Sequence, residues 1–407
     1  MAASSRLILT SRGAIRARGG HPWVYRADVE RFEGSWRAEE AVTVRDGAGH
    51  VLGRGFYNPR PRIVCRLLTR EDEPFDRAFF ERRVRAAWRH RQGLGYTGDA
   101  VRVVGSEGDR LPGLVMDRYA DVAVLQTLTL GMEQHVVTLA DVAAEVTGVT
   151  AVYRRTDSTA AAIEGLEGAP GWLLGGGGRS TPEPSGSGPR PTEVEIREGP
   201  CRFRVEVAHG HKTGFYLDQR ENREAVARLA GGREVLDAFA YTGAFGCQAL
   251  AQGAARVLAV EATSEAVALA RVNARLNGVA DRFDTLEGNA FDALRDFERT
   301  GRRFDLVILD PPPFTRRRTT VDAALRGYKE INLRAIRGLR PGGLLATFSC
   351  SHHVGPTLFE GVCRAAAEDV GRPVRVAGAF GQGRDHPVLL VVPETRYLCG
   401  LLLEVLE

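Results

Sequence analysis

The stretch Asp237-Ala-Phe-Ala-Tyr-Thr-Gly-Ala-Phe-Gly246 decides the fold of the second half of the chain. It overlaps an apolar run at 234–239 that is typical of a β-strand, and Gly243 and Gly246 allow a tight turn into a helix. Further apolar runs at 256–260, 304–309 and 343–348 alternate with helical patterns at 246–251, 264–277, 322–338 and 356–369. The alternation predicts a mostly parallel sheet with helices on both faces, whose ligands bind beyond the carboxyl ends of the strands.

The first two strand ends favour a nucleoside ligand. The glycine-rich turn matches neither the dinucleotide fingerprint G-x-G-x-x-G nor the phosphate loop G-x-x-x-x-G-K-[ST], which argues against a dinucleotide or a nucleoside triphosphate. Glu261 closes the second run, about eighteen residues after Gly243, where a carboxylate can accept hydrogen bonds from ribose hydroxyls. The alternative is a charge at the start of the next helix, which Ser264 can cap.

The third strand end is Asp310-Pro-Pro-Pro-Phe314, followed by Arg316, Arg317 and Arg318. Consecutive prolines end the strand and form a rigid ledge, because proline lacks an N–H donor and has a fixed φ. An acid and an aromatic ring on such a ledge can hydrogen-bond and stack a flat heterocycle. A purely structural loop is the alternative.

The fourth strand end carries Cys350, within Ser349-Cys-Ser351. A cysteine is more often an inert core residue than a nucleophile. Cys350 stands at the tip of a strand whose neighbour carries Asp310, and this position favours the role of nucleophile. That role requires cationic or dipolar surroundings that lower the pKa of the thiol, and the candidates are Arg316–Arg318 or the pair His352 and His353.

Composition narrows the class of protein. The chain has 407 residues, 43% hydrophobic and 26% charged, enough for two or three domains, and no window approaches a membrane span. The N-terminus lacks the apolar core of a signal peptide. The six cysteines are scattered, as expected of free thiols in a protein of the reducing cytoplasm. No histidine, cysteine or carboxylate spacing predicts a metal site. A net charge of +4, with arginine at all but two of the 55 basic positions, is compatible with a polyanionic partner or with coding bias.

The pattern along the chain predicts four segments. Residues 1–72 contain short strands of a small β-barrel, 73–174 a central α+β domain, 175–191 a Gly/Ser/Pro-rich flexible linker, and 192–407 the α/β domain. A helix at 75–91 buries an apolar face containing Phe79 and Phe80. Its arginines are predicted to form either a solvated face or a nucleic-acid surface: Arg82, Arg83, Arg85, Arg89 and Arg91.

The motifs occur in an order that resembles the RlmI-type family of S-adenosylmethionine-dependent methyltransferases, which methylate C5 of a cytosine in large-subunit (23S) ribosomal RNA. The most specific of them is His209-Gly-His-Lys-Thr-Gly-Phe-Tyr-Leu-Asp-Gln-Arg220. The others are His21-Pro-Trp-Val-Tyr25, Gly108-Asp-Arg-Leu-Pro-Gly113 with Asp117-Arg118, Tyr241-Thr-Gly243, Asp310-Pro-Pro312, Arg326-Gly-Tyr-Lys329 and Phe348-Ser-Cys-Ser351. The resemblance implies a multidomain α/β protein with an N-terminal PUA β-barrel, a central α+β domain and a C-terminal Rossmann-like class I methyltransferase domain.

The resemblance also implies roles for individual residues. Cys350 would be the nucleophile that adds to C6 of cytosine, and Asp310 would hydrogen-bond the base. Phe314 and Arg316, Arg317, Arg318, Arg12, Arg16 and Arg18 would contact the RNA. S-adenosylmethionine would be held by Gln219, Arg220, Asp237, Tyr241, Thr242, Gly243, Glu261 and Asn289, with Arg220 pairing its carboxylate.

Two departures from the family pattern and two alternatives stay open. Pro313 stands where the family commonly has lysine or another polar residue, and Asn289 stands where it has an acid. A guanine-nitrogen methyltransferase on the same scaffold would need no thiol, and a non-catalytic RNA-binding assembly factor would not bind S-adenosylmethionine. The expected partner is 23S ribosomal RNA rather than a membrane, the expected location is cytoplasmic, and a homodimer is left open.

Overall fold

The computed structural model describes residues 5–38, 40–175, 191–315 and 318–406. These residues form two compact units, and each unit is discontinuous in sequence. The first contains the chain up to Ile196 together with Val205–Leu217 and Arg384–Thr395. The second contains Arg197–Arg204, Asp218–Gly383 and the chain from Arg396 onward. The predicted linker at 175–191 falls almost wholly on 176–190, outside the described residues, so the domain boundaries stay predictions.

The first unit begins with a six-stranded sheet in the order β2-β6-β5-β4-β1-β3. Helix α1 (Ser11–Arg18) packs close to Asp28, since a Cβ on Gly13 would lie 2.6 Å from the Asp28 Cβ. The prediction of short strands here is confirmed, although it did not include helix α1. The strands are β1 Arg6–Leu9, β2 Trp23–Tyr25, β3 Val29–Glu33, β4 Ala41–Arg45, β5 Val51–Tyr57 and β6 Ile63–Thr69.

The first unit also contains a five-stranded sheet, β11-β10-β9-β8-β7, and helices that pack against it. The core contains the Phe79 and Phe80 face predicted for the first long helix. The elements are α2 Arg77–Gln92, β7 Ala100–Gly105, β8 Leu114–Tyr119, β9 Val122–Thr127, α3 Leu130–Gln134, α4 Val136–Thr147, β10 Ala151–Arg155, α5 Ser158–Glu164 and β11 Gly171–Leu174.

Arg91 does not lie on the outer face of α2, as the helical pattern predicted. Its side chain is buried and forms an ion pair with Asp109, and Nη2 also donates to the Asp385 backbone oxygen at 2.9 Å. The register places Arg91 at the boundary of the apolar face, where a guanidinium is buried only because acceptors surround it.

The second unit contains the predicted α/β sheet, with seven strands in the order β16-β15-β14-β17-β18-β20-β19. The strands from β14 to β18 pair in parallel and β20 is antiparallel to both neighbours, so the prediction of a mostly parallel sheet is confirmed. Two strands, β12 Glu193–Glu198 and β13 Cys201–Glu206, form a separate two-stranded sheet. The other elements of the second unit are α6 Arg220–Ala227, β14 Glu234–Ala238, α7 Ala244–Ala251, β15 Arg256–Glu261, α8 Ser264–Leu276, β16 Phe283–Glu287, α9 Ala290–Thr300, β17 Phe304–Leu309, α10 Val321–Gly338, β18 Leu339–Ser349, α11 Pro356–Val370, β19 Val374–Gly381 and β20 Cys399–Val405.

The register brings the four predicted strand ends to one edge of this sheet. Ala238 pairs with both Val260 and Leu309, and Leu309 pairs with Thr347. The patterns did not reveal β16, β19 and β20. β16 and β19 are edge strands whose mixed polar and exposed residues lack a buried run. β20 lies inside the sheet between β18 and β19, and its apolar residues at 399–405 were not recognised as a strand. The polar residues that follow β14, β15, β17 and β18 therefore share one neighbourhood.

Candidate active site

The turn after β14 bends sharply enough to leave its backbone open to a ligand. Phe239 and Tyr241 have φ values of 65° and 48°, a left-handed conformation that non-glycine residues rarely adopt. Hydrogen bonds from Ala240 N to the Val260 oxygen (3.0 Å) and from Tyr241 N to Glu261 Oε2 (2.8 Å) hold it. Gly243, at φ 76°, has no room for a side chain, since a Cβ would lie 2.8 Å from the Phe283 ring.

Glu261 ties the ends of β14 and β15 together. Besides Tyr241 N, its carboxylate accepts from Ala262 N at 2.8 Å and from Thr263 N at 3.2 Å. Thr263 rather than Ser264 is the N-cap residue of α8. A carboxylate has about four acceptor positions, so the same group can hold the turn and still accept from a ribose hydroxyl. The ribose contact itself stays a prediction.

Asp237 lies beneath the turn rather than at its surface. The side chain is buried, and Oδ2 accepts from Gly246 N at 3.0 Å, which holds the first turn of α7. Burial raises the pKa of Asp237 to about 7, and the nearby carboxylates of Asp310 and Glu261 add to the increase. The clustered carboxylates favour a cationic ligand group at this edge of the sheet.

Two further observations fit S-adenosylmethionine. The Thr242 hydroxyl is buried without a hydrogen-bond partner among the described residues, and a bound ligand could satisfy it. The exposed side chain of Asn289 accepts from Phe291 N at 2.8 Å and caps α9, so it stands at the strand end next to Glu261. An amide, a carboxylate and a strained backbone turn suit a nucleoside with an amino-acid tail.

Arg220 is buried beside another carboxylate. Its Nε lies 3.6 Å from Glu198 Oε2, and Arg223 donates twice to the same carboxylate at 2.7 Å. Burial alone would raise the pKa of Glu198, but Arg223 and Arg220 outweigh it and the pKa is lowered. The predicted pairing of Arg220 with the cofactor carboxylate is untested.

A chain of side-chain amides holds Asp310. Gln219 Nε2 donates to Asp310 Oδ1 at 2.9 Å, and Gln219 Oε1 accepts from Asn222 Nδ2 at 2.6 Å. Asn222 also donates to the backbone oxygen of Gly381 at 2.8 Å. Sequence reasoning missed Asn222, although its position three residues after Gln219 at the start of a helix was a readable signal.

Cys350 differs from the other five cysteines. Those five are buried, and burial raises the pKa of each thiol, to about 12 for Cys65, Cys201 and Cys363. Cys350 is only half-buried at the tip of β18, and its Sγ lies 3.8 Å from the backbone oxygen of Pro311. The sulfur therefore lies beside the proline ledge that Asp310 begins, not inside an apolar core.

Aromatic rings support the same ledge. Phe314 is half-buried and packs on Tyr328, with ring centroids 4.5 Å apart, and on Phe291 at 5.6 Å. The Tyr328 hydroxyl is 2.9 Å from the Ser351 hydroxyl, next to Cys350. Burial raises the pKa of Tyr328 to about 12, so it stays protonated. The Arg326–Lys329 motif thus connects the ledge with the cysteine loop, a contact the sequence did not reveal.

The predicted RNA-contacting arginines are placed only in part. Arg12 and Arg16 form ion pairs with the buried Asp28, and Arg18 pairs with Asp46. These contacts orient the three guanidinium groups, and their part in RNA binding stays a prediction. Arg316 and Arg317 lie outside the described residues, as does the side chain of Arg318.

The described residues contain neither a candidate metal site nor a candidate membrane-spanning helix. No group of three or more histidine, cysteine, aspartate or glutamate side chains is arranged to hold a metal ion in the part of the chain that the structure covers. Within the same ranges, no helix has the length and apolar character needed to cross a membrane.

Comparison with known proteins gives a consistent result. The S-adenosylmethionine-dependent methyltransferase family matches residues 181–370, and a PUA-like domain matches residues 7–70. The ribosomal RNA large subunit methyltransferase I of Alteromonas mediterranea is 38% identical over 99% of this chain and 100% of its own length. The protein of that name from Vibrio cholerae is 37% identical over 95% of this chain and 96% of its own length.

A solved structure supports the fold alone. A protein from Streptococcus mutans, described as a SAM-dependent methyltransferase, superposes with a TM-score of 0.82 over 98% of this chain and 100% of its own. The two sequences are 18% identical.

Proposed function

Because this chain belongs to the ribosomal RNA large subunit methyltransferase I family, we propose that it methylates C5 of a cytosine through a covalent adduct with Cys350. Membership confirms the resemblance predicted from the His209–Arg220 stretch and the ordered motifs. The large-subunit RNA as substrate and S-adenosylmethionine as methyl donor come with the family. The base atom and the covalent route are our proposal.

The chemistry explains why a thiol is needed. S-adenosylmethionine supplies an electrophilic methyl group, but C5 of cytosine is a weak nucleophile. The Cys350 thiolate forms a bond to C6 and breaks the 5,6 double bond, which makes C5 electron-rich. C5 then takes the methyl group as the sulfonium S–CH3 bond breaks and S-adenosylhomocysteine leaves. Transfer of the C5 proton to a base restores the double bond and expels the thiolate.

Asp310 positions the base and stabilises its charge. A carboxyl group at the start of the ledge can hydrogen-bond N3 or the amino group of cytosine while electrons shift toward the ring. Gln219 donates to one oxygen of Asp310 and fixes its direction. Phe314 offers an adjacent ring for stacking, and flipping the nucleotide out of the RNA would bring it there.

One observation carries the proposal. Cys350 and Asp310 follow the adjacent parallel strands β18 and β17, and the Cys350 sulfur lies 3.8 Å from the residue after Asp310. A nitrogen methyltransferase would have no need for a half-buried thiol at this place, because a ring or amino nitrogen has its own lone pair.

A trapping experiment tests the covalent route. RNA that carries 5-fluorocytidine at the target cannot lose a proton from C5, so the adduct should persist as an RNA–protein complex stable in denaturing gels. We expect the complex with the wild-type enzyme and S-adenosylmethionine, and none with Cys350→Ala. Mass mapping of large-subunit RNA from cells with and without the gene identifies the base: methylation of a guanine, or none, would overturn the proposal.

We place the enzyme in the cytoplasm, where its RNA substrate is made, and leave a homodimer to solution measurements. We propose that the PUA-like domain and its arginines Arg12, Arg16 and Arg18 grip the RNA backbone by shape and charge. Arg12 and Arg18 pair with Asp28 and Asp46, but their side chains are 68% and 53% exposed, and this accessibility supports the proposal.

A further inference from the structure

The edge of the α/β sheet opposite the candidate active site has an open cleft of about 470 Å³. It lies where β17 and β18 begin, while Asp310 and Cys350 follow the ends of these strands. Six residues of β17 separate the two edges, which corresponds to about 20 Å. The cleft is lined by Glu298, Arg303, Arg337, Leu339, Arg340, Pro341, Val370 and Arg372.

Two of the four arginines in the cleft are neutralised. Arg337 donates to Glu298 at 2.7 Å, and Glu298 is also paired with Arg334. Arg340 contacts two carboxylates outside the lining, Asp305 at 2.9 Å and Glu234 at 3.1 Å. These pairs leave no carboxylate of the cleft for the other two arginines.

The other two, Arg303 and Arg372, have no salt-bridge partner among the described residues. Arg372 is half-buried, and its Nη1 donates to the backbone oxygens of Ile336 and Leu339 at 2.8 and 2.7 Å. These two bonds fix the guanidinium at the end of α10. Arg303 and Arg372 line the same cleft, and burial together with the Arg303 cation lowers the pKa of Arg372. An arrangement of this kind is stabilised by an anion.

We propose that this cleft binds a phosphate group of the RNA backbone, as an anchor remote from the base that is methylated. Guanidinium groups match phosphate oxygens through two parallel hydrogen bonds. The inference rests on the proposed function, which supplies a polyanion long enough to reach both edges of the sheet. A small anion would not need a cleft at this distance from the chemistry.

Charge reversal at Arg303 tests the anchor. Arg303 is exposed and makes no hydrogen bond among the described residues, so Arg303→Glu should keep the wild-type Tm. With a transcript of large-subunit RNA, we expect Kd to rise about tenfold at 0.1 M salt and the slope of log K against log salt to fall by about 1. KM for RNA should rise with kcat unchanged, because the catalytic edge is untouched.

Arg228→Glu is the matched control, since Arg228 is an exposed arginine beyond α6 that forms an ion pair with Glu224. It should bind RNA with a Kd within about twofold of wild type. Equal Kd and salt slope for Arg303→Glu and this control would overturn the anchor. The anchor would also be overturned if Arg303→Glu abolished binding of inorganic phosphate but bound RNA as tightly as wild type, because the cleft would then be a site for a small anion. If the wild-type enzyme forms no 5-methylcytosine while RNA binding still depends on Arg303, only the proposed function fails.

Discussion

The two halves of the catalytic edge are built differently. At the ends of β14 and β15, Asp237 is buried, and Glu261 accepts from three backbone N–H groups. At the ends of β17 and β18, Asp310, Phe314 and Cys350 are all half-buried. The first half is preorganised before any ligand arrives, and the second keeps its reactive groups accessible. This difference suits a small donor that binds in one fixed pose and a nucleotide that must enter from a large RNA.

The largest expected effect comes from Cys350→Ala, which removes the nucleophilic thiol and leaves the residues at the ends of β14 and β15 unchanged. Methyl transfer should fall by more than about a thousandfold, because C5 loses its activation. The Kd for S-adenosylmethionine, measured by isothermal titration, should stay within about threefold. Cys363→Ala removes a buried thiol from the same unit and should retain activity. Full activity of Cys350→Ala would contradict the covalent role of Cys350 and the assignment of the reacting base to the ends of β17 and β18.

Glu261→Gln should act on the other half. It weakens the charge-assisted hydrogen bonds that hold the turn and replaces the proposed ribose acceptor, so Kd for S-adenosylmethionine should rise about thirtyfold. At saturating donor, kcat should change little. Glu287→Gln is the control, since Glu287 pairs with Glu261 in register at the end of β16 and is exposed. A Glu261→Gln variant with wild-type donor affinity would contradict the assignment.

Gln219→Ala distinguishes between two roles of Gln219, the positioning of Asp310 at the β17 end and the binding of the methyl donor at the β14–β15 ends. Loss of the hydrogen bond to Asp310 should lower kcat about tenfold while donor affinity stays unchanged. Asn222→Ala should have a smaller effect, and the double variant should be less damaged than the two losses combined, because both act through one chain of amides. A change in donor Kd alone would instead support direct cofactor binding by Gln219.

Asp237→Asn is expected to have the smallest effect on the methyl-transfer rate. It should still change the free energy of unfolding measurably. The pKa of Asp237 is raised in the folded state, so the folded protein keeps its proton over a range where the unfolded chain has lost it. The contribution of Asp237 to the free energy of unfolding of the wild type therefore falls as pH rises from about 4 to 7, and it stays constant above pH 7. The asparagine variant has no ionisable group at this position, so its stability does not fall for this reason.

Urea unfolding of both proteins at several pH values measures the difference. The free energy of unfolding of Asp237→Asn relative to wild type should increase by about 2 kcal/mol between pH 5 and 7. A difference that is constant with pH would mean that Asp237 is ionised in the folded protein throughout this range.

Short-range patterns in the sequence were enough to place the reactive residues on strand ends. The β14 turn, the Asp310 ledge and Cys350 each follow an apolar run, and β17 (Phe304–Leu309) has the predicted bounds. Backbone periodicity and proline or glycine positions act over a few residues, so they can be read locally. The order of the motifs added the family, which the comparisons confirmed.

Contacts between distant residues were decided only by the tertiary structure. Gln219 and Asp310 are 91 residues apart, and Glu261 reaches Tyr241 across 20 residues. Which cysteine stays accessible among six, and which arginine is buried like Arg91, depends on strand order and packing. The sequence alone determined that a nucleophile candidate stands at a strand end. The sheet order β14-β17-β18 decided its neighbours, because strands that are adjacent in space are joined by long helical crossovers whose packing no local pattern records.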